Sequence, residues 1–153
     1  MMYDDLVKDF ASRTFQNLQY IQEGQAKGDE VFEVTALISS LLGLIVFPKE
    51  KRSFVSFNTQ LCDLANSGWP DINSKEKILK TRTFADFFVK MRHAVAHGNI
   101  RAKSHTSNNE ITELTFWNID RRSNKKDWEI NLSVAEIKKL VEKICPLIIH
   151  SST

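Results

Sequence analysis

Between Asp29 and Phe47 the chain carries Val31, Val34, Leu37, Ile38, Leu41, Leu42 and Ile45, apolar on so many sides that little of the wheel is left polar. A helix of that kind must be surrounded, because leaving apolar surface in water costs about 25 cal/mol per Å2. The stretch therefore predicts a helix over 29–47 as the central element of a helical bundle. Its longest apolar run, from Ala36 to Phe47, contains Ser39, Ser40 and Gly43. That run is too short and too polar to span a bilayer, which needs about 20 apolar residues. Pro48 is expected to end the helix, since its ring cannot continue it and biases Phe47 to extended geometry.

The neighbours of this helix are legible from the same periodicity. Leu6, Phe10, Thr14, Leu18 and Ile21, widened by Val7 and Phe15, predict an amphipathic helix over 3–23, its end bracketed by Gly24 and Gly28. Phe54, Phe57, Leu61 and Leu64 predict a shorter helix over 54–66, stopped by Asn66, Ser67, Gly68, Trp69 and Pro70. A connecting segment follows. Thr83 with Asp86 resembles a capping box and opens a helix over 83–97 through Phe84, Phe87, Phe88, Met91 and Val95, with Gly98 in the C-cap glycine place.

The period then changes to two. Trp128, Ile130 and Leu132 alternate with polar neighbours, and Glu110 to Asn118 is rich in Thr, Ile and aromatics. These segments predict a hairpin over 110–118 and 126–132, turning through the basic tip Arg121 to Lys126. Ser133 with Glu136 caps a last helix over 134–149, kinked or ended near Pro146. The expected fold is mainly α: an antiparallel bundle of four to five helices with a β-hairpin inserted before the C-terminal helix, in a single domain over 1–153, since 153 residues is one domain's worth.

Hydrophobic residues at 42%, charged residues at 26% and only 5 Gly and 3 Pro exclude a disordered or collagen-like chain. Cys62 and Cys145 each lie in an apolar helical pattern and read as reduced core thiols, so the expected compartment is the cytoplasm. Three aspartates in the first nine residues argue against a secretory signal. The net charge of +2 conceals a polarity: residues 1–35 sum to −4 and residues 75–105 to +6. The basic window also holds His93, His97 and His105, three of the four histidines, and suits either an ordinary solvated helix face or a phosphate surface with Lys90, Arg101 and Lys103 as basic contacts.

Within that window stands Met91-Arg92-His93-Ala94-Val95-Ala96-His97-Gly98-Asn99. On a helix His93 and His97 are i and i+4, neighbours on one face. Arg92 borders the stripe of Phe88 and Val95, and its guanidinium must emerge at the bundle's edge, because burying it unpaired is too costly. A histidine in a last helical turn also interacts favourably with the helix dipole, which by itself calls for no function.

The run Arg92-His93-x-x-x-His97 resembles the signature of the HEPN superfamily, helical-bundle proteins with an Arg, a polar residue and a His a short helical step beyond. The stretch from Glu33-Val34-Thr35 to Phe47-Pro48, with Glu50-Lys51, is similar to one bacterial and plasmid-borne HEPN subfamily, as is Arg13-Thr14 with Asn17-Leu18. Asn commonly follows the Arg in such proteins; here the place is filled by His93.

The resemblance implies a metal-independent endoribonuclease of the toxin or phage-defence kind, without cofactor or metal ligands, whose motifs meet across a homodimer's two-fold axis. Attack of a ribose 2′-OH on the adjacent phosphate needs a base, an acid and a cation. His97 would exchange protons, Arg92 would present its fork to the phosphate oxygens, and His93 would be a second proton carrier or orient His97. Glu33 is a candidate to orient Arg92, and Asn99 a candidate to reach the site. Expected partners are RNA, a second copy of the chain and an antitoxin protein, with no membrane. The rival is a non-catalytic HEPN module binding RNA, nucleotide or a partner protein.

Overall fold

The computed structural model describes residues 6–50, 59–105, 107 and 110–150, which form six helices and four strands. They fall into two compact units, residues 1–54 with 140–153 and residues 55–139.

In the first unit, Val7, Ala11, Thr14 and Leu18, spaced three and four apart, form the buried side of α1 (Leu6–Lys27). Gly24, expected at the end of this helix, is buried inside it, and the chain leaves at Gly28, whose φ is 86°. Gly28 N–H donates to the Gln25 carbonyl at 3.1 Å and Asp29 N–H to that of Gly24 at 2.9 Å, the paired bonds of a Schellman cap. Asp29 is thereby committed to closing α1. That is why α2 (Glu33–Glu50) starts four residues later than expected.

Leu37, Ser40, Leu41, Leu44 and Ile45 are buried along α2, and the Ser40 hydroxyl donates to the Ala36 carbonyl at 2.7 Å. The helix is not enclosed on every side, however: Leu42 is 47% exposed and Phe32, just ahead of it, 72%. Pro48 does not terminate it, since α2 continues to Glu50; one missing donor in a final turn removes a single intrahelical bond. A Cβ at Gly43 would overlap Cε1 and Cζ of the Phe10 ring, so α1 and α2 approach each other there without room for a side chain. The later part of α6 (Val134–Ile149) belongs to this unit and buries Leu140, Val141, Ile144, Cys145 and Ile148. Burial pushes the Cys145 thiol up to about 12. Pro146 lies within α6 rather than ending it, and its carbonyl accepts from His150 N–H at 2.9 Å.

The second unit is built on a four-stranded antiparallel sheet, where the sequence suggested a lone hairpin. β3 (Glu113–Ile119) and β4 (Lys126–Ser133) pair as a hairpin, flanked by β1 (Glu76–Lys77) on β4 and β2 (Ile100–Lys103) on β3. Both added strands come from segments that read as connections, being too short to show a period of two. Leu114, Phe116, Trp128, Ile130 and Leu132 are buried on one face, against which α5 (Phe84–Ala96) packs Phe84, Phe87, Phe88 and Met91; the Phe87 and Trp128 rings are 6.2 Å apart.

The predicted helix over 54–66 is α3 (Leu61–Ala65), with residues 54–58 outside the described ones, and α4 (Ile72–Lys75) precedes β1. Cys62 proves exposed, because α3 buries only Leu61, while Cys145 is buried as expected. Both expected capping boxes form. Thr83 and Asp86 exchange bonds at the start of α5, and Ser133 and Glu136 at the start of α6.

Two outcomes are expected. Gly43→Ala gains helix propensity yet lowers the melting temperature, since overpacking costs about 1–3 kcal/mol; in a Phe10→Leu background the same change is neutral or stabilising. Burial raises the Glu136 carboxyl, but Ser133 N–H and Lys75, 3.1 Å away, outweigh it and hold the group below its ordinary 4.5. A depressed carboxyl contributes stability that is fully present above that value and is lost as pH falls through its folded value. Glu136→Gln should therefore flatten the urea midpoint between pH 6 and pH 3 relative to the unsubstituted chain.

Candidate functional site

The last two turns of α5 carry Lys90, Arg92 and His93, with His97 as the C-cap, and the way this helix ends fixes where they stand. Gly98, with φ of 66°, donates to the Val95 carbonyl at 3.2 Å, and Asn99 N–H donates to that of Ala94 at 2.9 Å. This is a second Schellman cap, with His97 as the capping residue and its N–H on the His93 carbonyl at 3.1 Å. The chain then turns directly into β2, where the Asn99 carbonyl accepts from Trp117 N–H at 3.2 Å. Helix end and sheet are joined by backbone bonds.

His93 and His97 are both exposed, and their ring centroids lie 6.4 Å apart with planes at 69°. Too far apart to share a hydrogen bond, they are close enough to serve two oxygens of one phosphodiester. Arg92 is partly buried, and its Nε is shielded from solvent without a hydrogen-bond partner among the described residues. A buried guanidinium N–H left unpaired costs about 1–3 kcal/mol, and more for a charged group. A bound anion would remove that cost.

The expected basic contacts divide. The Lys90 ammonium is bonded to Asp127 Oδ2 at 2.7 Å, and Lys103 lies 3.4 Å from Glu113, so both charges have carboxylate partners. Arg101 is exposed and sits over the Trp117 ring, 5.6 Å from its centroid. Asn99 is partly buried and serves the helix cap through its backbone. Glu33 opens α2 in the other unit. His105 is exposed beyond β2.

Asn118 was not singled out in the sequence. Its Nδ2 donates to the Lys90 carbonyl at 2.8 Å, holding the turn of α5 that precedes Arg92 against the sheet. The signal was its parity: Leu114 and Phe116 put every second residue of β3 on the core face, and Asn118 continues that row. A polar residue there needs a partner. Among the described residues no group of three His, Cys, Asp or Glu is placed to hold a metal ion, and no helix is long and apolar enough to cross a membrane. Asn118→Ala should cost about 1 kcal/mol, read as a lowered denaturation midpoint.

A family model described as HEPN pEK499 p136 matches residues 1–152. No curated protein and no solved structure matches the chain. A match over nearly the whole sequence settles the family: the chain is a member of the HEPN family.

Proposed function

We propose that this protein is a metal-independent endoribonuclease of the toxin or phage-defence kind, cleaving RNA by attack of a 2′-OH on the adjacent phosphate. The observation that carries the reading is the Arg92 Nε, shielded and without a partner among the described residues, on the same helix end as two exposed imidazoles 6.4 Å apart. HEPN domains are frequently endoribonucleases, and they commonly dimerise and bind RNA.

In this mechanism one imidazole, assigned to His97, takes the proton of the ribose 2′-OH as its oxygen attacks phosphorus. The leaving 5′-oxygen receives a proton from a second donor, His93 or the partner copy's own site. Arg92 keeps its charge throughout and offers parallel N–H donors to the non-bridging oxygens as negative charge builds on them. The bond from phosphorus to the 5′-oxygen breaks, leaving a 2′,3′-cyclic phosphate and a 5′-hydroxyl. The whole chain acts as one HEPN-like domain in a cytoplasmic homodimer. Two basic 75–105 segments facing one cleft attract RNA better than one. An antitoxin protein that covers the cleft would hold such an enzyme inactive.

Purified protein is expected to cut single-stranded RNA in excess EDTA and to leave 2′,3′-cyclic phosphate ends. Arg92→Ala and His97→Ala should each lower the rate by about 100- to 10,000-fold without changing the oligomeric state. Undiminished cleavage in both variants would overturn the catalytic assignment. RNA binding without any cleavage by the unsubstituted chain would favour a non-catalytic binding module.

A further inference from the structure

The two tryptophans of the hairpin stand on neighbouring strands and point to opposite faces. Trp128 is fully buried and donates its indole N–H to Glu76 Oε1 at 2.9 Å. Trp117 lies on the outer face, partly exposed, and is bracketed by cations: Arg101 Cζ at 5.6 Å and Lys126 Nζ at 4.8 Å from the ring centroid. No packing role against α5 accounts for it, because α5 covers the other face.

The same face runs into the hairpin turn. The Asp120 carboxylate accepts from the Ser123 hydroxyl at 2.7 Å and from its N–H at 2.9 Å, and Asn124 adopts φ of 53°. The turn is thus held by its own bonds and presents Arg121, Arg122 and Lys125, all exposed, just beyond the Ile119–Lys126 pair that follows Trp117 on the same strand. Glu113 and Glu129 are the acids of this face. Lys103 answers the first and Lys126 with Lys77 the second, so Arg101 and, less the one charge of Asp120, the turn cations remain in excess.

We propose that this outer sheet face is a binding platform for single-stranded RNA, in which a base displaces one of the two cations over the Trp117 ring and stacks on it, with phosphates on Arg101 and the turn cations. Aromatic rings flanked by cations suit single-stranded nucleic acid, since every base has a face to stack and every linkage a charge to neutralise. A protein partner would call for aliphatic surface, and among the described residues of this face only Ile119 supplies it exposed. The platform rests on the ribonuclease reading and deepens it. Trp117 N–H bonds the carbonyl of Asn99, two residues beyond His97, so the backbones of Trp117 and His97 lie on the order of 10 Å apart. RNA held there would round the β2 edge of the sheet to reach the end of α5.

The test is a titration of the whole chain with a short 2′-O-methyl oligoribonucleotide, which lacks the attacking hydroxyl and stays uncut. Tryptophan emission should be quenched on binding. Trp117→Leu should weaken affinity roughly 5- to 100-fold and abolish most of the quench, while Trp117→Phe retains most of the affinity. Replacing Arg121, Arg122 and Lys125 together by Ala should reduce the slope of log affinity against log salt by about 2. Thermal melting identifies variants that fail to fold. Wild-type affinity in folded Trp117→Leu, or an unchanged slope in the turn variant should Trp117→Leu not fold, overturns the platform. Absence of binding by the unsubstituted chain overturns the RNA reading itself, whereas binding indifferent to Trp117 and the turn overturns the platform alone.

Discussion

The positive φ of Gly98 is the constraint on which the candidate site depends. Only with that left-handed step do the Val95 and Ala94 carbonyls find donors in Gly98 and Asn99, and only then does the chain leave α5 in line to pair as β2. A side chain at that position would strain the turn that sets His97 at the helix end. The glycine, the histidine spacing and the edge strand form one device: a helix terminus locked to a sheet. Asn118 adds a third attachment, from the core face of β3 to the Lys90 carbonyl.

A second tie holds the opposite side of that sheet. Glu76 is buried, and its carboxylate accepts from Thr81 N–H at 2.8 Å, the Thr81 hydroxyl at 2.5 Å and the Trp128 indole at 2.9 Å. A buried carboxylate with three donors is well satisfied, and its bonds close the loop through Ile78, which takes a φ of 73° that β-branched residues rarely adopt. The loop delivers the chain to Thr83, whose capping box starts α5. Both ends of the site-bearing helix are therefore set by polar contacts to the sheet or its approach, while Phe84, Phe87, Phe88 and Met91 supply the apolar contact between them.

Long periodic segments were legible in the sequence because each buries one face at a constant spacing. α1, α5 and α6 fall within a few residues of expectation, and the boxes Thr83 with Asp86 and Ser133 with Glu136 mark two helix starts correctly. What stayed hidden was short or depended on distant partners. β1 has two residues and β2 four, and neither makes sense except beside strands remote in sequence. Gly24 looked like a helix stop and is an interior residue, since local composition does not reveal whether a neighbour needs the space. At the site, the i, i+4 spacing of His93 and His97 was readable from the helix period alone. That Lys90 is paired with Asp127, and that Trp117 faces away from Trp128, depends on contacts and pairing register between segments remote in sequence.

The sheet's two borders carry a further consequence. One ends in a strand of two residues. The other is a strand of four, in which Arg101 and Lys103 alternate with Ile100 and Ala102. Neither border offers a long, flat, uncharged row of backbone donors and acceptors, so the sheet resists being extended by a strand from another molecule. The sheet of this unit therefore gives the strand of another chain little to pair with.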